Sequence, residues 1–187
     1  MRWLALYARS RRLPVSLAAL VLCTVVIRLI VGSDWSTFFV SLTLGAAVAV
    51  AATGLSGQDV DLDRTAAFGW LPRRLAHLLL MGLLAAGVLL LVQAPGATQV
   101  AASVILRDGA GLLGLAGLAA TLFGGQFGWT FPLGWIVVAL FVPGEPIELS
   151  RVLAWPLQPA DVAVAWWVAG VLFVLGSGTY AVVGARR

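Results

Sequence analysis

Few residues in this chain have types and spacings that could do chemistry, and most fail on context. Ser177 lies between Gly176 and Gly178, and His77 is the sole histidine. A rhomboid-type intramembrane serine protease would need glycine where Leu175 stands. His77 precedes the serine in the chain, so no serine–histidine dyad emerges. Zinc-protease chemistry of the HExxH kind needs two histidines. The lone Cys23 sits in an apolar run and offers neither a disulfide framework nor a cysteine-based metal site. No catalytic residue and no metal site is therefore expected.

Nucleotide chemistry fares no better. Gly109-Ala110-Gly111-Leu112-Leu113-Gly114 fits the GxGxxG pattern, but no strand precedes it and no acidic residue follows at the right interval. With Gly117, these glycines predict a face for close helix packing. A phosphate-binding Walker loop requires lysine, and the chain has none. If ATP drives this protein, ATP and magnesium belong to a separate subunit, and no cofactor is expected here.

Three ionisable groups remain: Arg28, Arg107 and Asp108 lie within apolar stretches. Such groups cost about 2.5–3.5 kcal/mol each on insertion scales and mark pathways or ion pairs. Arg28 can also simply extend to nearby headgroups. Depth favours pairing Arg28 with Asp108. Neighbours on one helix point in different directions, so Arg107 is the poorer expectation.

The elements that must carry these groups are apolar helices. Hydrophobic residues make up 61% of 187, and mean hydropathy is +1.01. A bilayer core of about 30 Å needs about 20 apolar residues per helix. The pattern predicts an all-α, polytopic protein, one domain over residues 1–187 with six transmembrane helices. The first spans about Leu13–Val31, the second Thr37–Leu55, the third Leu75–Val92. Arg107-Asp108-Gly109 interrupts the fourth, Thr98–Gly125, predicting a broken element. The fifth covers Trp129–Val142 and the sixth Val162–Val183. Small residues from Gly45 to Ala52 predict close helix contact in the second. Trp35 suits a membrane interface.

Two short helices complete the pattern. Asp61, Leu62, Ala66 and Trp70 predict a cytoplasmic amphipathic helix, closed by Gly69 and Pro72. Pro146 to Pro156 predicts a short outer-face helix, with Glu148 and Arg151 on one side.

The net charge of +4 and pI near 10.6 do not point to nucleic acid. Nine of the 12 basic residues fall before the first helix, in the second connector or at the C-terminus. That positive-inside bias predicts a multi-pass protein of the cell membrane with both termini cytoplasmic. Ser10-Arg11-Arg12 and Leu20-Val21-Leu22-Cys23 match targeting signals only superficially, so an uncleaved first helix is expected.

Several stretches together resemble the small membrane (permease) subunits of ABC-2-type ABC exporters, the actinobacterial six-span type. They are Ile105-Leu106-Arg107-Asp108-Gly109, the Gly111/Gly114/Gly117 run, Trp129 with Pro132-Leu133-Gly134-Trp135, Leu153-Ala154-Trp155-Pro156-Leu157, and Tyr180 with Gly184-Ala185-Arg186-Arg187. The resemblance implies a permease dimer, homomeric or heteromeric, in the lipid bilayer, with a cytoplasmic ATPase subunit beneath. It implies that Asp61, Asp63, Arg64, Phe68 and Trp70 couple to that ATPase; the buried charges Arg28, Arg107 and Asp108 are, from their depth, the expected intramembrane gate. Met1 to Arg12 departs from the family in lacking a clear amphipathic helix. Two alternatives stay open: a substrate-capture subunit of an energy-coupling-factor-type importer, and a membrane assembly or regulatory factor.

Overall fold

A computed structural model describes residues 13–55, 70–142 and 147–186. Every regular element among them is helical, and the only bridge pairs Asp34 with Thr98. The helices are α1 (Leu13–Val31), α2 (Thr37–Ala52), α3 (Trp70–Gln93), α4 (Ala102–Phe123), α5 (Thr130–Phe141), α6 (Glu148–Leu153) and α7 (Ala163–Val183). Single 3-10 turns occupy Thr53–Leu55, Gly125–Phe127 and Trp155–Leu157.

Three segments are long and apolar enough to cross a membrane: Leu71–Gln93, Ala102–Phe123 and Ala163–Val183. Leu17–Val31, Thr37–Ala52 and Gly125–Phe141 are apolar but shorter. The surface is apolar, with Leu29, Leu83, Leu91, Phe141, Trp167 and Val182 exposed, whereas Arg107 and Asp108 are buried. That inverted distribution suits lipid outside and paired charges inside. Helix hydroxyls follow the same logic. Thr24, Thr43 and Ser177 donate to the carbonyls of Leu20, Phe39 and Phe173, four residues back, so these hydroxyls are satisfied within their own helices.

The α4 helix is the hub. It packs on α2, α3, α5 and, most extensively, α7. The predicted glycine face is where α7 docks. A Cβ on Gly114 would strike the backbone of Leu172 and Phe173, and one on Gly117 would lie 2.6 Å from the Gly176 carbonyl oxygen. Only hydrogen fits there, which lets the two backbones touch. Small residues serve α2 differently. Buried positions occur almost all round it, because α1, α3, α4 and α5 all pack against it.

Several boundaries differ from expectation. The fourth helix is unbroken through Arg107-Asp108-Gly109. A charged pair with its partners in place does not interrupt the i to i−4 ladder, and glycine weakens a helix without ending one. Among the described residues the α3 helix already covers Trp70 to Arg74, ahead of the expected Leu75, and includes Pro72. Trp35 is 3% exposed, packed inside the bundle. The turns on either side of α1–α2 and α3–α4 close over it: Ala97 N donates to Ser33 O at 3.0 Å and Thr98 Oγ1 to Trp35 O at 3.3 Å. Gln93 seals the second turn, its amide exchanging hydrogen bonds with Val100.

At the other end, Gly124 (φ 105°) stops α4 in a conformation that favours glycine. The Arg186 N–H then donates to Ala120 O, laying the C-terminal tail across α4. Tyr180 Oη donates to Leu55 O at 3.2 Å, tying α7 to the turn after α2.

Candidate functional site: a self-filled polar cluster

Asp108 and Arg107 lie about a turn and a half into α4, near the Trp35 end of the bundle. Arg107 Nε donates to Asp108 Oδ1 at 2.8 Å, both side chains being fully buried. The adjacent pair expected to be poor is therefore the one that forms. The Cβ directions do diverge, but three methylenes let the arginine wrap around the helix. Arg28 makes none of Asp108's contacts; it is half-buried in the last turn of α1, where a cation complements the helix C-terminus. Equal depth did not mean equal azimuth, since α1 packs on α2 and α3 while Asp108 faces Ser41 on α2.

The rest of the cluster comes from the segment between α6 and α7. Arg107 Nη2 donates to Gln158 O at 2.7 Å and Nη1 to Pro159 O at 2.9 Å. The guanidinium also lies 6.0 Å from the Trp166 ring centroid. Ser41 Oγ stands 2.6 Å from Pro156 O and 3.1 Å from Asp108 Oδ2. Each ionised group thus meets dipoles of the chain itself, the requirement for holding charge in a medium without water.

Trp155 anchors the same segment. It is fully buried, and its ring occupies the space that a side chain at Gly111 would need, with Cζ2 2.9 Å from an ideal Cβ position. Its indole Nε1 is buried without a hydrogen-bond partner. Two other tryptophans bracket the segment: Trp135 Nε1 donates to Leu153 O at 3.0 Å and Trp166 Nε1 to Ala160 O at 2.9 Å.

Sequence reasoning singled out Arg107 and Asp108 but missed Ser41, one hydroxyl among several in α2. The acceptor carbonyls of residues 156, 158 and 159 had no signal at all, being backbone. The expected coupling residues Asp61, Asp63, Arg64 and Phe68 lie outside the described residues, and Trp70 is the first described residue of α3. Ser177 donates to its own helix and Gly176 packs against α4, so the Gly-Ser-Gly triplet serves packing. His77 is buried near the start of α3. Glu148 and Arg151 pair at 3.0 Å, as their spacing predicts, on an exposed face. Among the described residues no cluster of metal-ligating side chains occurs.

An all-helical bundle, apolar outside and ion-paired inside, with three helices fit to cross a membrane, defines a membrane-embedded protein. The chain matches no family model, no curated protein and no solved structure.

Proposed function

We propose that this chain is the transmembrane subunit of an ATP-driven exporter, crossing the cell membrane six times and taking its energy from a separate ATPase subunit. The reading starts from the resemblance to ABC-2-type permeases. The observation that carries it further is that the polar cluster at the Trp35 end is filled by the chain's own carbonyls. A capture subunit needs a polar pocket open to a ligand at that face, and here the loop occupies it. The centre of the bundle is equally full, closed by the contact of α4 with α7. A path for cargo then runs where two such subunits meet.

Six spans require α1, α2 and α5 to cross as well. At 1.5 Å per residue, α2 (16 residues) reaches about 24 Å and α5 (12 residues) about 18 Å. Helices shorter than the hydrocarbon core are accommodated by local thinning or by association. The arginine bias places both termini and residues 56–69 in the cytoplasm. Asp61, Asp63, Arg64, Phe68 and Trp70 there transmit the closure of the ATPase, whose ATP binds one conformation better than the other.

Two measurements test this reading. Reporter fusions after Ala94 and Pro156 should read as outside, and those after Gln58 as inside; an inside signal at Pro156 removes the six-span topology. Gentle purification should recover an ATPase stimulated by this chain, and Phe68→Ala with Trp70→Ala should abolish that stimulation. Recovery of no ATPase removes the exporter reading.

A further inference from the structure

Two arginines sit at opposite ends of the bundle in opposite circumstances. Arg107 is fully buried and bonded to Asp108, Gln158 and Pro159. Arg74, in α3 at the far end, is half-buried. Yet among the described residues its side chain has no hydrogen-bond or ion-pair partner. A guanidinium carries five N–H donors and stays charged. What its surroundings lack is an anion.

The chain holds Arg74 in a defined place. Its guanidinium lies over Gly184, with Cζ and Nη1 each 2.7 Å from where a Cβ would stand. Gly184 has φ 80°, a backbone that favours glycine, and it ends α7. Beyond this turn Ala185 packs on the core and the Arg186 N–H bonds Ala120 O. The backbone of Arg186 is thereby fixed two residues from the glycine that Arg74 covers. Its exposed side chain is also without a partner among the described residues. Arg73, next in sequence to Arg74, is engaged in a contact of its own.

Charge and depth at this end agree. The described carboxylates, Asp34, Asp108, Glu148 and Asp161, all lie towards the Trp35 end. The α7 helix, with 21 residues, is about 31 Å long, close to the hydrocarbon thickness of about 30 Å. Val174, Val182 and Val183 are exposed along it, so apolar surface runs to its last turn. Gly184 therefore falls where hydrocarbon ends and phosphates begin. A general bias of arginines to one side accounts for their presence at this end, not for a guanidinium laid over a glycine.

We infer that Arg74 and Arg186 form a site for the phosphate of an anionic phospholipid whose acyl chains lie on Val182 and Val183. The planar fork of Arg74 can meet two phosphate oxygens at once, and Arg186 adds a second charge from the tail. A soluble phosphate would meet the same guanidiniums, but it has nothing to lay on the valines. The inference needs only a bilayer and does not rest on the exporter reading.

Native mass spectrometry of the purified full-length protein in detergent tests it, titrating phosphatidylglycerol or phosphatidylcholine with the same acyl chains. Phosphatidylglycerol should bind about 25-fold tighter, at about fivefold for each arginine near the phosphate. Arg74→Gln should lower that preference about fivefold, and Arg74→Lys should lower it less. Gly184→Ala puts a methyl where the guanidinium lies and should lower the preference with both charges kept. Arg151→Gln removes the same charge at the other end and should leave the preference unchanged. Equal binding of the two lipids by the parent would overturn the site. So would an Arg151→Gln loss as large as that of Arg74→Gln, which would make the attraction one of diffuse charge. An unchanged preference in Gly184→Ala would overturn the placement of Arg74 over the glycine. Displacement of the lipid by excess glycerol phosphate would show a soluble anion as the occupant and overturn the lipid.

Discussion

The α4 helix is held in two opposite ways along its length. Towards the Trp35 end, Arg107 and Asp108 hold other parts of the chain through directed polar bonds. Farther along, Gly114 and Gly117 hold α7 by having no side chain at all. The first contact depends on every member being present, because an ion left alone in a dry interior is very costly. The second depends on nothing being added. The glycine contact has one geometry, backbone against backbone. The polar cluster depends on directed bonds, with the Ser41 oxygen within reach of both Pro156 O and Asp108 Oδ2. Directed polar bonding and close backbone packing therefore sit a few turns apart on one helix.

The sharpest break of this contrast is deletion at the polar end. Arg107→Leu strands Asp108 and should cost about 3–5 kcal/mol. Arg107→Leu with Asp108→Leu should recover most of it. Heating detergent-solubilised protein and following the monodisperse fraction measures both, and a double variant no more stable than the single one would show that the pair is not what Arg107 serves.

Addition at the glycine contact should come next. Gly114→Ala meets α7 backbone that cannot rotate away and should cost about 1–3 kcal/mol. Gly87→Ala is its control, for nothing lies within 4 Å of the position, and the same thermal assay should show no loss. Equal losses at both sites would mean that close approach is not the reason for Gly114.

The smallest effect belongs to an ion pair of the ordinary surface kind. Glu148→Gln should change stability by less than about 0.5 kcal/mol, since Glu148 is 72% exposed in its bond to Arg151. A loss approaching that of Arg107→Leu would erase the distinction between buried and exposed pairs on which the comparison stands.

Much of this was legible in the residues. Apolar run lengths gave the end of α1 and both ends of α7 to within a residue, because the length of an apolar helix follows the run of apolar residues. The spacing of Gly111, Gly114 and Gly117 announced a packing face, and Glu148 and Arg151 announced their pair, both being local consequences of helix periodicity. The break expected at Arg107-Asp108-Gly109 failed for the opposite reason: whether a charge disrupts a helix depends on partners, and these came from residues 41, 158 and 159. The assignment of Arg28 to Asp108 failed because depth is countable along a sequence and rotation about the bundle is not.

The sequence by itself determined an all-helical chain with an apolar exterior, helices able to cross a membrane, and two charges that had to be reconciled with an apolar interior. Hydrophobicity and period are properties of residues in order, so order sufficed. Only the tertiary structure decided that α7 lies on the glycines of α4, that Trp155 fills the space beside Gly111, and that the carbonyls of Gln158 and Pro159 accept from Arg107. Every residue carries a carbonyl, so no sequence marks the ones that a fold will bring to a buried guanidinium.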